Sequence, residues 1–121
     1  MSFERENNLY IKSLAFAKEI VLLYRELVNS RYESEICKQV LKSGTSIGAN
    51  ISEAQGSISE ADYISKIHIA YKELLETKYW CDLIVETKGM KKEKHEKLND
   101  QINELSKILY TIIKKVKSKR S

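Results

Sequence analysis

Lysine is the residue type whose spacing could do most in this chain. Lys114, Lys115, Lys117, Lys119 and Arg120 fall in the last eight positions, which contain no acid, and Lys88, Lys91, Lys92, Lys94 and Lys97 form a second group upstream. Clustered cations contact phosphates without reading bases, so they would give salt-sensitive, weakly selective binding of RNA or DNA. The plainer reading is a pair of solvated helix ends, with cations favoured at a C-terminus by the helix dipole. The charge is unevenly placed: residues 1–87 carry 10 Lys/Arg against 13 Asp/Glu, and residues 88–121 carry 11 against 4. The basic character therefore belongs to the last quarter.

Carboxylates form the second candidate set. Glu73 and Glu76 sit one helical turn apart beside Leu74 and Thr77, and Glu53 lies upstream. Ion pairs with Arg25 or Lys72, or hydrogen bonds to polar groups around Asn50, are the leading expectation. A subunit interface comes second and metal or acid–base chemistry third. A di-iron bundle requires Glu-x-x-His pairs on two helices, and neither His68 nor His95 has Glu three residues before it. A metal-dependent enzyme would need His68 to converge with glutamates in space. Cys37 and Cys81 lack a CxxC partner and sit among apolar residues, which reads as reduced, buried small hydrophobes. Neither has a His nearby in sequence to activate it as a nucleophile. There is no phosphate-binding loop and no dinucleotide fingerprint. The sequence thus assigns no catalytic residue, metal or cofactor, and the expectation is a protein that is not an enzyme.

The elements that must position these residues are helices. The chain has 121 residues, no Pro and only 4 Gly, and its common residues favour helix. In the first segment Tyr10, Leu14, Ala17, Val21, Tyr24 and Val28 alternate spacings of four and three, and Phe16, Ile20, Leu23 and Leu27 form a second stripe beside them. A face this wide implies several neighbours, within the subunit or in another copy. After a polar break at 29–34, a second helix carries Ile36, Val40, Ile47, Ile51 and Ala54 towards Gly56, which suits a C-cap. Ser57 with Glu60, and Ser59 with Asp62, offer overlapping capping boxes for a third helix. That helix has the heptad Tyr63, Ile67, Ala70, Leu74, Thr77, Cys81 and Ile84, ending near Gly89; Leu98, Ile102, Leu105, Leu109, Ile112 and Val116 define the fourth. The prediction is an all-α fold, an up-down-up-down antiparallel four-helix bundle. It forms a single domain over 1–121 with a basic tail at about 114–121.

The second helix is unusual in its middle, where Ser43, Gly44, Thr45, Ser46, Gly48, Ala49, Asn50 and Ser52 replace strong helix formers. Two interior glycines cost about 1 kcal/mol each relative to Ala. Close approach of another helix along Gly44, Gly48 and Ser52 would compensate. The functional alternative is a binding surface lined by small polar residues and Asn50. Trp80, beside the heptad position Cys81, reads as a core or interface anchor more readily than as a base-stacking platform, and Tyr79 as facing a neighbouring subunit.

The run Ser43 to Ala54, then Ser59 and Ala61-Asp62-Tyr63, then Ala70 to Trp80, resembles the bacterial four-helix-bundle proteins encoded in intervening sequences of 23S ribosomal RNA genes. The resemblance covers roughly Leu9 to Ile113. It implies a homo-oligomeric ring, typically a homopentamer, with nucleic-acid binding and no catalytic chemistry. A more distant branch of the fold resembles the accessory variability determinant of diversity-generating retroelements, a basic ring that associates with a reverse transcriptase and its template RNA. Two functions follow as expectations: an oligomeric ring binding RNA through clustered lysines, or a protein-interaction module whose lysines only maintain solubility. No signal peptide and no membrane span is legible, so the expected location is the cytoplasm, with no membrane partner.

Overall fold

The computed structural model describes the backbone of residues 3–120 and the side chains of 7–119. The chain forms α1 (Phe3–Asn29), α2 (Ser34–Gln55), α3 (Glu60–Glu86) and α4 (Lys92–Arg120). Each helix packs on its sequence neighbour, and α4 returns to α1 along a looser seam.

Cross-helix pairs establish the antiparallel register. Ser13 faces Gly48 while Ile20 faces Gly44, and Ser43 bonds Thr77 while Glu53 pairs with Lys66. Tyr71 meets Tyr110 while Asp82 meets His95, and Lys12 meets Glu104 while Glu19 meets Lys94. In every pair of helices the numbers rise on one and fall on the other, which gives the up-down-up-down bundle that the sequence predicts.

The core is a single apolar column in which Phe16, Ile20, Leu23, Leu27, Ile47, Ile51, Ile67, Leu74, Ile84, Leu98 and Leu105 are fully buried. On α1 the second apolar stripe, with Leu9, is the one that faces inward. The first stripe lies to its side, flanking α2, with Leu14 56% and Val28 49% exposed. On α3 the buried register starts at Ile64, and Tyr63 is only half-buried. Helix α4 begins at Lys92, well before the periodic residue Leu98.

Helix ends are set by specific contacts. Ser59 caps α3, its hydroxyl accepting from the Asp62 amide at 3.0 Å, so of the two candidate caps the later serine is the one used. Gly56 has an ordinary negative φ of −96°, so it closes α2 without the left-handed conformation usual for a glycine cap. The ends of α1 and α3 do use that conformation, at Arg31 (φ 60°) and Lys88 (φ 67°). In both turns the following amide reaches back five residues, Tyr32 to Leu27 at 2.9 Å and Gly89 to Ile84 at 2.8 Å, the bond of a Schellman motif. Gly89 is needed for space: an added methyl would lie 2.7 Å from Ile84 and 2.8 Å from Tyr32. The Tyr32 hydroxyl completes this end with a 2.6 Å hydrogen bond to the Thr87 hydroxyl.

Candidate functional site

The motif on α2 serves packing first. A methyl at Gly44 would lie 2.7 Å from Ile20 Cγ2, and one at Gly48 3.3 Å from the Ser13 hydroxyl. The two glycines thus let α1 approach closely, whereas Ser52, the expected third member of the strip, is exposed. The neighbouring polar groups are satisfied locally. Ser46 donates to the Lys42 carbonyl at 2.6 Å, and Asn50 Nδ2 donates to the Ser46 carbonyl at 2.8 Å. Ser43, fully buried, pairs with Thr77 at 2.9 Å across the α2–α3 seam.

The three glutamates do not converge. Glu53 pairs with Lys66 on α3 at 3.3 Å, and Glu76 accepts from Trp80 Nε1 at 3.1 Å, so neither Arg25 nor Lys72 is the bonded partner that the sequence suggested. Partial burial raises the Glu73 carboxyl above its ordinary value, and the charge of Glu76 adds to the rise against the pull of Lys42 and Lys72. Among the described residues no three His, Cys, Asp or Glu side chains come together as a metal site would need. Cys37 and Cys81 are free thiols, both buried. Burial pushes Cys81 up to about 12, which leaves it protonated and unreactive at neutral pH.

The lysines separate into two groups at opposite ends of α4, with Lys92 and Lys114 about 33 Å apart along the axis at the helical rise. At the end closed by Tyr32, Lys88, Lys91 and Lys92 are exposed around a shallow hollow that Val85, Met90 and His95 also line. Glu86, Glu93 and Glu96 share that hollow, so its field is mixed. Lys94 is turned away from it towards α1. Its ammonium lies 3.1 Å from Glu19, with side chains 24% and 20% exposed. That bond holds the Glu19 carboxyl below its ordinary value despite the opposing effect of burial. His95, which the sequence did not single out as a structural residue, is 2.8 Å from Asp82. Burial pushes the Asp82 carboxyl up, but bonds from His95 and Lys78 outweigh it and leave the group below its ordinary value.

The other end is different. Lys114, Lys115, Lys117 and Lys119 are all exposed on the final turns of α4, and residues 105–120 contain no acid. The ion pairs between helices draw on other lysines, Lys12, Lys66 and Lys94. The side chain of Arg120 lies outside the described residues. Among the described residues the final turns of α4 thus carry exposed lysines with no acid between them, while α3 begins at the same end with Glu60 and Asp62; clustered exposed lysines of this kind suit a polyanion.

Two aromatic pairs lie on the outer surface. Tyr79, 59% exposed, meets Trp80 edge to face with ring centres 5.0 Å apart, beside Glu76. Tyr71 and Tyr110 meet across the α3–α4 seam with ring centres 6.4 Å apart and planes tilted by 43°. Nothing in the local sequence marks the second pair, because its members are 39 residues apart and only the helix register joins them.

The model of the family described as 23S rRNA-intervening sequence protein matches residues 5–111. The chain belongs to this family. It is also similar to a protein of unknown function from the S23 ribosomal protein family of Bacteroides thetaiotaomicron VPI-5482, whose crystal structure was determined at 1.70 Å resolution. The two are 47% identical, the match covers 91% of this chain and 98% of that one, and the TM-score is 0.87. No match was found among curated proteins. None of the helices described is long and apolar enough to cross a membrane.

Proposed function

We propose that this member of the 23S rRNA-intervening sequence family is a non-enzymatic, cytoplasmic protein that assembles with copies of itself and binds nucleic acid through the lysines at the end of α4. The carrying observation is the acid-free cluster of Lys114, Lys115, Lys117 and Lys119, exposed on one end of a rigid bundle. A ring of five, the arrangement implied by the family resemblance, would repeat the cluster in each copy and raise avidity without a new contact. The exposed Leu14 and Val28 on α1 supply apolar surface for self-association.

Light scattering coupled to size-exclusion chromatography tests the reading, with a structured ribosomal RNA fragment added at low and at moderate salt. The expected outcome is an oligomer that co-elutes with the RNA at low salt, releases it as salt rises, and loses it when the four lysines are changed to Gln. An oligomer that ignores RNA at low salt would instead be a protein-interaction module, and a monomer would remove the basis for avidity.

A further inference from the structure

We propose that the α3–α4 face is a stacking platform for unpaired bases of single-stranded nucleic acid, formed by Tyr110 and Tyr71 and flanked by Lys107, Lys114 and Lys117. The inference rests on the nucleic-acid reading above and gives it a ligand class.

Lys107, Tyr110, Lys114 and Lys117 follow at spacings of three, four and three, which places them on one face of α4. All four are exposed, Tyr110 by 54%. Tyr71, half-buried against the core, meets Tyr110 from α3. Leu75, 47% exposed and one turn along α3, extends the apolar surface. A large aromatic ring left open to water beside a second ring is an unfinished stack that a base can complete, since every base has a π-face.

Charge identifies the occupant. Residues 63–72 of α3 and 105–119 of α4 contain no Asp or Glu. Of the lysines there, Lys66 is engaged by Glu53, while Lys72, Lys107, Lys114, Lys115, Lys117 and Lys119 stay exposed. An aromatic pair whose neighbouring charges on α4, and on α3 as far as Lys72, are lysines suits a polymer that alternates π-faces with phosphates, and bases already stacked in a duplex cannot use it. The Tyr79–Trp80 pair makes the contrast: its indole N–H is bonded to the Glu76 carboxylate, and that charge in direct contact with the ring repels phosphates.

Fluorescence anisotropy of the full chain with labelled oligouridylate, oligothymidylate and a paired RNA duplex of equal length tests the platform. Tyr110→Ala, Tyr110→Phe and a Lys107→Gln/Lys114→Gln/Lys117→Gln variant are compared with the parent, and each is checked for helicity and oligomeric state. Tyr110→Ala is expected to weaken single-strand binding roughly tenfold, within the range for losing one stacked base, and to leave duplex binding unchanged. Tyr110→Phe should restore the parent affinity, and the lysine variant should weaken every probe and lower the salt dependence. Tyr110-dependent binding of both single strands assigns the site to bases and phosphates; binding of oligouridylate alone, still Tyr110-dependent, adds ribose recognition. Equal binding by Tyr110→Ala and the parent, with the lysine variant impaired, would overturn the platform and leave the proposed function standing. Failure of the parent to bind any probe at low salt would overturn both. An altered oligomeric state in Tyr110→Ala would assign the face to contact between copies and overturn the proposal.

Discussion

Helix α1 is held on its two sides by opposite means. Against α2 it packs where side chains are missing, with Ile20 seated on Gly44 and Ser13 on Gly48. Against α4 it is bridged by long charged side chains, Lys12 to Glu104 at 3.1 Å and Glu19 to Lys94 at 3.1 Å. The glycine seam is stereospecific, because a fully buried β-branched residue has little rotamer freedom with which to accommodate an added atom. The ionic seam adapts, because its side chains are long and partly hydrated, and its strength depends on salt and pH. One bundle thus combines a rigid wall with an adjustable one, and the basic helix is on the adjustable side.

The hardest test of this contrast is Gly44→Ala. Its new methyl would press on Ile20 Cγ2 at 2.7 Å and Cγ1 at 2.8 Å. Overpacking of about 1–3 kcal/mol should exceed the roughly 1 kcal/mol gained in helix propensity and lower the denaturation midpoint. Adding Ile20→Ala should recover part of that loss in a double-mutant cycle; strict additivity would mean that the seam is not set by this contact. A smaller effect is expected on the ionic side. Glu19→Gln should destabilise by about 1 kcal/mol or less at neutral pH and low salt. The Glu19 carboxyl is lowered in the folded state, so its contribution is complete above its ordinary value of 4.5 and is lost as pH falls through the lowered value. Variant and parent should therefore converge in acid, as followed by thermal melts across pH. The smallest change is expected at Gly48→Ala, where the nearest atom is the Ser13 hydroxyl at 3.3 Å. Helix propensity offsets that mild crowding, and the melting temperature should stay within a few degrees of the parent.

What could be read from the sequence followed from how local each signal is. The heptads of α3 and α4 give helix type and inward face because apolar spacing is a property of one helix. On α1 two adjacent stripes compete, and only the position of α2 selects Phe16, Ile20, Leu23 and Leu27 for the core. Gly44 and Gly48 disclose a close approach, but the residues that make it are on another helix and have no sequence mark. The same limit governs the candidate site. The acid-free run of lysines on α4 is visible at once, whereas the capture of Lys94 by Glu19 and the meeting of Tyr71 with Tyr110 arise from antiparallel register. Glu53 and Glu76 were visible as carboxylates near the core, but their partners, Lys66 and Trp80, depend on which way each helix turns.

The bond between Tyr32 and Thr87 ties together two turns that are 55 residues apart. Gly89 is wedged between Ile84 and Tyr32 beside it. That end is thereby latched by a contact between the α1–α2 and α3–α4 turns, whereas the opposite end is crossed by the α2–α3 turn. Lys114, Lys115, Lys117 and Lys119 thus stand at the end away from that latch, on the turns of α4 that follow its last buried residue, Ile113.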